Sequence, residues 1–211
     1  MLFIDTLNQL LFPVRCFGCA ALGLLICSSC RRDWHPHYYK LHLSQLDVHS
    51  AVLYTSTASR IILASKEDGL KNADDLIIGA IVHVLTKTNF VNENIRLVPI
   101  PSSPSTRRRR GRSFIVDITK SVAQRSGLPL SDSLELTRRV RDQTGLDATA
   151  RAHNMQGAFA LKRGAYPRGD LILIDDVVTT GATLHEAARA LRGAGFNVIA
   201  AVTACLAQPL R

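Results

Sequence analysis

The sequence predicts an α/β fold, a mainly parallel sheet flanked by helices, preceded by a small cysteine-rich module. Three observations predict it. From about Ala51 onward, short apolar runs alternate with longer segments of helical periodicity, the pattern of successive βα units. Leu171–Ile174 is four continuous apolar residues, as expected of a strand buried on both faces. Residues 1–45 differ in kind: they hold four of the five cysteines, the single Trp and three of the seven histidines.

Taken in order, Leu7, Leu10 and Leu11 with their neighbours fit one face of a short amphipathic helix over 2–12, ending at Pro13. Ala51–Thr55 reads as a strand. Asn72 is placed to cap a helix on which Ile77, Ala80, Ile81, Val84 and Leu85 recur on one face. Ile95–Val98 is a short strand closed by Pro99 and Pro101. Phe114, Ile115, Ile118 and Val122 mark a further helix, stopped by Gly127 and Pro129. Leu134–Leu136 and Leu171–Ile174 follow as strands. Leu184, Ala187, Ala188 and Leu191 mark a helix ending at Gly193 or Gly195, and Val198–Leu206 returns as the last strand.

A chain of 211 residues has room for one such domain and a small appendage. Its 46% hydrophobic and 20% charged residues exclude wholesale disorder. The net charge of +9 asks for an anionic partner: phosphate, nucleic acid or a lipid headgroup. The N-terminal stretch lacks a basic n-region, carries Asp5 and meets Pro13 instead of a small-residue cleavage site, which argues against a signal peptide. No apolar run reaches the roughly 18–20 residues that span a bilayer, so no membrane partner is expected and the expected location is cytoplasmic.

Cys16-Phe-Gly-Cys19 and Cys27-Ser-Ser-Cys30 form two CxxC knuckles separated by seven residues. Each brings two thiolates to one tetrahedral metal, and Cys16, Cys19, Cys27 and Cys30 together close the shell against water, the pattern of a structural zinc ion. So small a module has no core of its own, and metal binding would supply its folding energy. Redox CxxC motifs or two disulfides are the competing reading. His35 and His37 are read as surface residues, and Cys205 as a small buried one.

The most informative stretch is Leu171-Ile-Leu-Ile-Asp175-Asp176-Val-Val-Thr179-Thr180-Gly181-Ala182-Thr183. A buried strand ends in two carboxylates, and a small-residue turn leads into a helix. Ligands of open α/β sheets sit beyond the carboxyl ends of the strands, where this turn must lie. Thr179, Thr180, Gly181, Ala182 and Thr183 allow close backbone approach, supply hydroxyls and set the amides of a helix start against a phosphate. Asp175 and Asp176 suit the vicinal hydroxyls of a ribose, or water on a bound Mg²⁺. Both are expected to face the sugar because the strand stops there. The Mg²⁺ arm of a P-loop ATPase is excluded, because no GxxxxGK[ST] loop exists, and the GxGxxG dinucleotide fingerprint is absent too.

That stretch resembles the motif by which type I phosphoribosyltransferases bind phosphoribosyl pyrophosphate (PRPP). The resemblance implies ribose contacts from Asp175 and Asp176, a 5′-phosphate cradle from Thr179 to Thr183, and Mg²⁺ with the PRPP. Some purine-salvage members carry Asp where Thr179 stands, which argues against hypoxanthine or guanine salvage. With the zinc-ribbon-like module, the chain resembles the ComF family, competence-associated phosphoribosyltransferase-like proteins of bacteria. Lys66-Glu-Asp-Gly69, Val98-Pro-Ile-Pro101, Arg109-Arg-Gly111 and Gln143…Arg151-x-x-Asn154-x-x-Gly-Ala-Phe159 carry that likeness. It departs after Arg110-Gly111, where the family usually continues Phe-Asn and this chain has Arg112-Ser113. The implied division is a zinc module at 1–45 and a phosphoribosyltransferase-like domain at 46–211.

Arg107 to Arg110 plus Arg112 place five guanidiniums in six residues, between the Pro99–Ser103 strand end and a helix. Leaving pyrophosphate gathers negative charge as a glycosidic bond breaks, and Arg110 and Arg112, with backbone and side chain of Ser102, are candidates to meet it. Lys66 joins them by analogy. A solvated basic loop is the competing reading, and nucleic-acid contact the third, since Arg31, Arg32, Trp34, Tyr38, Tyr39 and Lys40 mix charge with stacking surfaces. Two functions follow. One is transfer of phosphoribose from Mg-PRPP to an unidentified nitrogen nucleophile, with no residue identifiable as general base. The other is a non-catalytic PRPP- or nucleotide-binding adaptor that contacts competence-machinery proteins or single-stranded DNA.

Overall fold

The structure, a computed structural model, describes residues 14–43, 45–88, 90, 94–138 and 148–207. The helix expected over 2–12, Gln143 and the side chain of Arg151 lie outside the described residues. Helix α1 (Ser28–Asp33) follows the first cysteine knuckle, and strands β1 (Tyr39–Leu43) and β2 (Leu46–Leu53) form a hairpin. Then come α2 (Ser56–Lys66), α3 (Lys71–Lys87), β3 (Ile95–Pro99), α4 (Pro104–Arg110) and α5 (Phe114–Ser126). The chain closes with β4 (Leu134–Leu136), α6 (Ala148–Met155), β5 (Phe159–Leu161), β6 (Asp170–Val178), α7 (Ala182–Gly193) and β7 (Val198–Leu206).

The main sheet runs β1-β2-β7-β6-β3, with β1 antiparallel and the other pairings parallel. The expected mainly parallel sheet flanked by helices is thus what the chain forms. Alternation along β6 explains its unbroken apolar run. Ile172 and Ile174 enter the core under α2, α3 and α5, while Leu171 and Leu173 enter the core under α7. β4 and β5 stand apart as a two-stranded antiparallel sheet beside the β3 edge.

Several expectations need correction. The strand foreseen at 51–55 is β2, which starts at Leu46. His49 and Ser50 hid it: both are buried, and they are satisfied by Tyr38 Oη (2.7 Å) and Thr203 Oγ1 (2.6 Å), partners far away in sequence. Leu70, not Asn72, occupies the cap position of α3. The arginine run is a helix and not a loop, with Pro104 in its first turn, Ser103 capping Thr106 N–H, and Gly111 closing it in the left-handed region. Trp34 is buried, its Nε1–H donating to the Leu76 carbonyl, so it is no stacking surface. Cys205 is fully buried in β7, as expected.

Candidate functional site

The four cysteines converge. The Sγ atoms of Cys16, Cys19, Cys27 and Cys30 all lie within 4.8 Å of one another, and all are free thiols. The first knuckle is tight enough that a Cβ on Gly18 would sit 2.6 Å from Cys30 Sγ and 2.8 Å from Thr57 Cγ2. Burial works to raise the Cys16 thiol, but backbone N–H groups of Cys27, Cys19 and Gly18 outweigh it and bring the pKa down to about 6. Cys30 is pushed up to about 12 by burial and by the neighbouring thiols. Such crowding of thiolates is what a dication relieves, and four sulfur donors fit zinc. The cluster belongs to the main core: Cys16, Ile26, Cys30 and Trp34 pack with residues of α2 and α3.

At the other end of α2 lies the acid pair. β6 continues past both acids to Val178, so the expected strand end at Asp176 is corrected. Asp176 is only 5% exposed, and Lys66 Nζ donates to its Oδ2 at 2.5 Å. The Asp176 N–H donates in turn to Asp175 Oδ1 at 2.9 Å. Burial, reinforced by the Asp176 charge, holds the Asp175 carboxyl well above the usual carboxylate range. Burial works to raise Asp176 too, but the Lys66 ammonium and the hydrogen bonds from Asp175 and Lys66 together bring it down. The pair is therefore asymmetric: Asp176 is the ion-pair partner of Lys66, and Asp175 is shifted toward its protonated form.

The turn after β6 follows as the composition suggested. Thr179 is exposed, and Gly181 stands at φ +76° as the residue before α7. A Cβ there would lie 2.3 Å from Leu43 Cδ1, so the tip of the β1–β2 hairpin roofs the turn. α7 starts with no side chain of Gly181 to cap it, and Ala182 N–H meets Thr180 Oγ1 only at 3.4 Å. The positive end of a 12-residue helix thus faces this turn.

The arginine run divides by partner. Arg107 and Arg108 are exposed. Arg109 and Arg110 both grip Glu67, with Arg110 Nε and Nη2 at 3.1 and 2.5 Å from Oε1. Arg112 reaches Asp74 at 3.0 Å and lies over the Phe114 ring, its Cζ 5.2 Å from the centroid, and Lys66 Nζ lies 5.8 Å from the same centroid. The structure thus brings Lys66, Asp175 and Asp176 together directly, and attaches Arg110 and Arg112 to the same corner through Glu67 and Asp74. Ser102 lies beyond the end of β3, which adjoins β6 through Ile100 N–H and the Ile174 carbonyl (3.0 Å). With Arg112, Arg107, Lys120 and Glu135 it lines a cleft of about 890 Å³, which none of residues 175–183 touches.

Glu67, Asp74 and Phe114 complete this corner, and sequence reasoning assigned them no role. Only the Lys66–Gly69 segment drew attention to Glu67. Arg112→Ala takes the buried guanidinium from Asp74, itself 6% exposed, and leaves it Ser65 and the exposed Lys71 at 3.5 Å. It is expected to cost about 2 kcal/mol in urea unfolding, less than a fully buried pair because the arginine keeps some solvent contact. Arg108→Ala is expected to stay within about 0.5 kcal/mol. Equal effects of the two would show that the Arg112 pairing carries no weight.

The acid pair on an inner strand of the mainly parallel sheet, and the glycine turn into a helix start that follows it, lie within the part of the chain that a known family matches. Residues 109–209 match the phosphoribosyl transferase domain family. The chain is 29% identical over 106 residues to competence protein F of Haemophilus influenzae, covering 49% of this chain and 46% of that protein. The matched part therefore spans under half the relative's length. Among solved structures, orotate phosphoribosyltransferase from Aeropyrum pernix aligns with TM-score 0.42 and 15% identity, over 83% of this chain and 77% of that one. Adenine phosphoribosyltransferase from Leishmania tarentolae aligns with TM-score 0.43 and 11% identity, over 80% and 94%. The domain match, the likeness to competence protein F and the four-cysteine cluster near the N-terminus together fit a ComF-family protein. Among the described residues no helix is long and apolar enough to cross a membrane.

Proposed function

We propose that the chain binds Mg-PRPP at the corner formed by Lys66, Asp175, Asp176 and the turn Thr179–Thr183, and transfers its phosphoribosyl group to a nitrogen nucleophile. The observation that carries this reading is the acid pair: Asp176 charge-paired with Lys66 and Asp175 bonded beside it, at the mouth of a glycine turn and a helix start. Asp175 and Asp176 hold the ribose hydroxyls, and residues 179–183 hold the 5′-phosphate. Mg²⁺ accompanies the pyrophosphate, and Lys66 offsets the charge that develops as the nucleophile displaces it, with Arg110 and Arg112 at the same corner and Ser102 in the cleft that Arg112 also lines. The zinc module at 1–45 is structural, the transferase-like domain occupies 46–211, and the protein works in the cytoplasm in DNA uptake.

The second reading, an adaptor that binds PRPP without turnover, is favoured by one observation. Glu67 and Asp74 neutralise Arg109, Arg110 and Arg112, while Arg107 and Arg108 face outward on α4, free for an anionic partner such as single-stranded DNA or a competence protein. Calorimetry with PRPP, with and without Mg²⁺, tests both readings, followed by pyrophosphate release against a panel of bases and amines. Mg²⁺-dependent binding with release supports the transferase, and binding without release supports the adaptor. Absence of PRPP binding in the zinc-loaded protein sinks both.

A further inference from the structure

Helix α2 joins the two sites already described. Its first two turns are fastened to the cysteine module: Thr57 Oγ1 donates to Asp33 Oδ2 at 2.9 Å, and Arg60 Nη1 donates to the Gly18 carbonyl at 2.9 Å. Both acceptors belong to the thiolate cluster's own frame. Gly18 lies between Cys16 and Cys19, packed against Cys30 Sγ and Thr57, and Asp33 ends the short helix that carries Cys30. The opposite end of α2 holds the acid pair: Lys66 Nζ sits 2.5 Å from Asp176 Oδ2, Ser65 Oγ bonds Asp74 at 2.5 Å, and Glu67 grips Arg109 and Arg110. Within this 11-residue helix, Thr57 and Lys66 stand about 13 Å apart along a continuous hydrogen-bonded rod.

We propose that α2 is a lever by which the zinc-held module positions Lys66 on Asp176, with Thr57 and Arg60 as positioning residues that tune the affinity of the phosphoribosyl site. This rests on the PRPP-binding reading above for its ligand. The apolar face of α2, with Ala58, Ile61 and Ile62 buried, holds the helix to the core, and the polar contacts to Asp33 and Gly18 tie its N-terminal half to the cysteine module. A charge-assisted contact at 2.5 Å changes steeply with small displacements, so a shift too small to disturb the core still alters the Lys66–Asp176 pair. The cysteine module would therefore act on the ligand site through α2 without touching the ligand.

The test uses the full-length zinc-loaded chain carrying Thr57→Val together with Arg60→Met. Zinc content, measured first, is expected to remain that of wild type. The dissociation constant for Mg-PRPP is expected to rise about tenfold, within the range of couplings carried by packed elements. Deuterium exchange at the Glu67 and Leu70 amides, which bond the Leu63 and Ala64 carbonyls, is expected to quicken with no ligand present. In a Lys66→Met background the same two substitutions are expected to change PRPP affinity less than about twofold, because the contact they act through is already gone. Unchanged exchange and affinity in a variant that keeps its zinc overturns the lever, as does an undiminished loss in the Lys66→Met background. If wild type itself does not bind PRPP, the functional reading fails, and the exchange at amides 67 and 70 still decides the coupling. Should the paired substitutions prevent folding, Arg60→Lys supplies a milder cut, judged by the same exchange.

Discussion

Cys16→Ser is expected to lose the metal and to loosen the whole face of the domain against which the module rests. Wild-type protein purified without chelator is expected to carry about one zinc per chain, the stoichiometry of a closed four-thiolate shell. Among the module's described side chains only Cys16, Ile26, Cys30 and Trp34 are buried apolar groups, and they share their core with α2 and α3. Structural zinc in comparable small units contributes apparent binding energies of about 10 kcal/mol and more, so loss of one ligand removes most of the module's folding energy. The consequences reach inward, since Ala58, Ile61 and Ile77 lie in that same core. Metal analysis and thermal melting check the result, with Cys205→Ala as the control that keeps its zinc. Wild-type protein free of zinc, with Cys16 and Cys30 joined in a disulfide, would refute it.

The parts of this fold that were legible in the sequence are those whose signal is local. Leu171–Ile174 announced a strand buried on both faces because each face of β6 has its own core, and α5 was announced by Phe114, Ile115, Ile118 and Val122 on one side with Gly127 after it. The cysteine cluster was legible because ligand spacing is itself geometry. What stayed hidden depends on partners distant in sequence. β2 contains His49 and Ser50, which read as surface residues until Tyr38 and Thr203 satisfy them. The pairing of Arg110 and Arg112 with Glu67 and Asp74 spans about forty residues, and nothing in the arginine run indicates which guanidiniums will meet an acid. α4 was a different kind of miss, since Ser103 and Pro104 already carried the cap and first-turn signal. The density of like charge obscured it.

Asp175→Asn combined with Asp176→Asn is expected to weaken Mg-PRPP binding by at least about a hundredfold, because it removes two carboxyl contacts to ribose hydroxyls, each worth roughly 1.5–3 kcal/mol. The two single substitutions separate binding from folding. Asp176→Asn removes the partner of Lys66, a lysine with 27% of its side chain exposed, and is expected to lower stability as well as affinity. Asp175→Asn mimics the neutral acid that burial and the Asp176 charge already favour, so it is expected to weaken the ligand while sparing the fold. The pH dependence carries the sign. A carboxyl whose pKa is raised in the folded state contributes stability that is fully present below the unfolded value of about 3.9 and lost as pH climbs through the raised value. Asparagine has no such dependence, so Asp175→Asn should match wild type at low pH and become relatively more stable as pH rises. Urea midpoints across that range, paired with calorimetric titration of Mg-PRPP, measure both effects. Equal PRPP affinity in wild type and the double variant would mean that the acid pair serves only to hold Lys66, and that the ligand, if it binds, binds elsewhere.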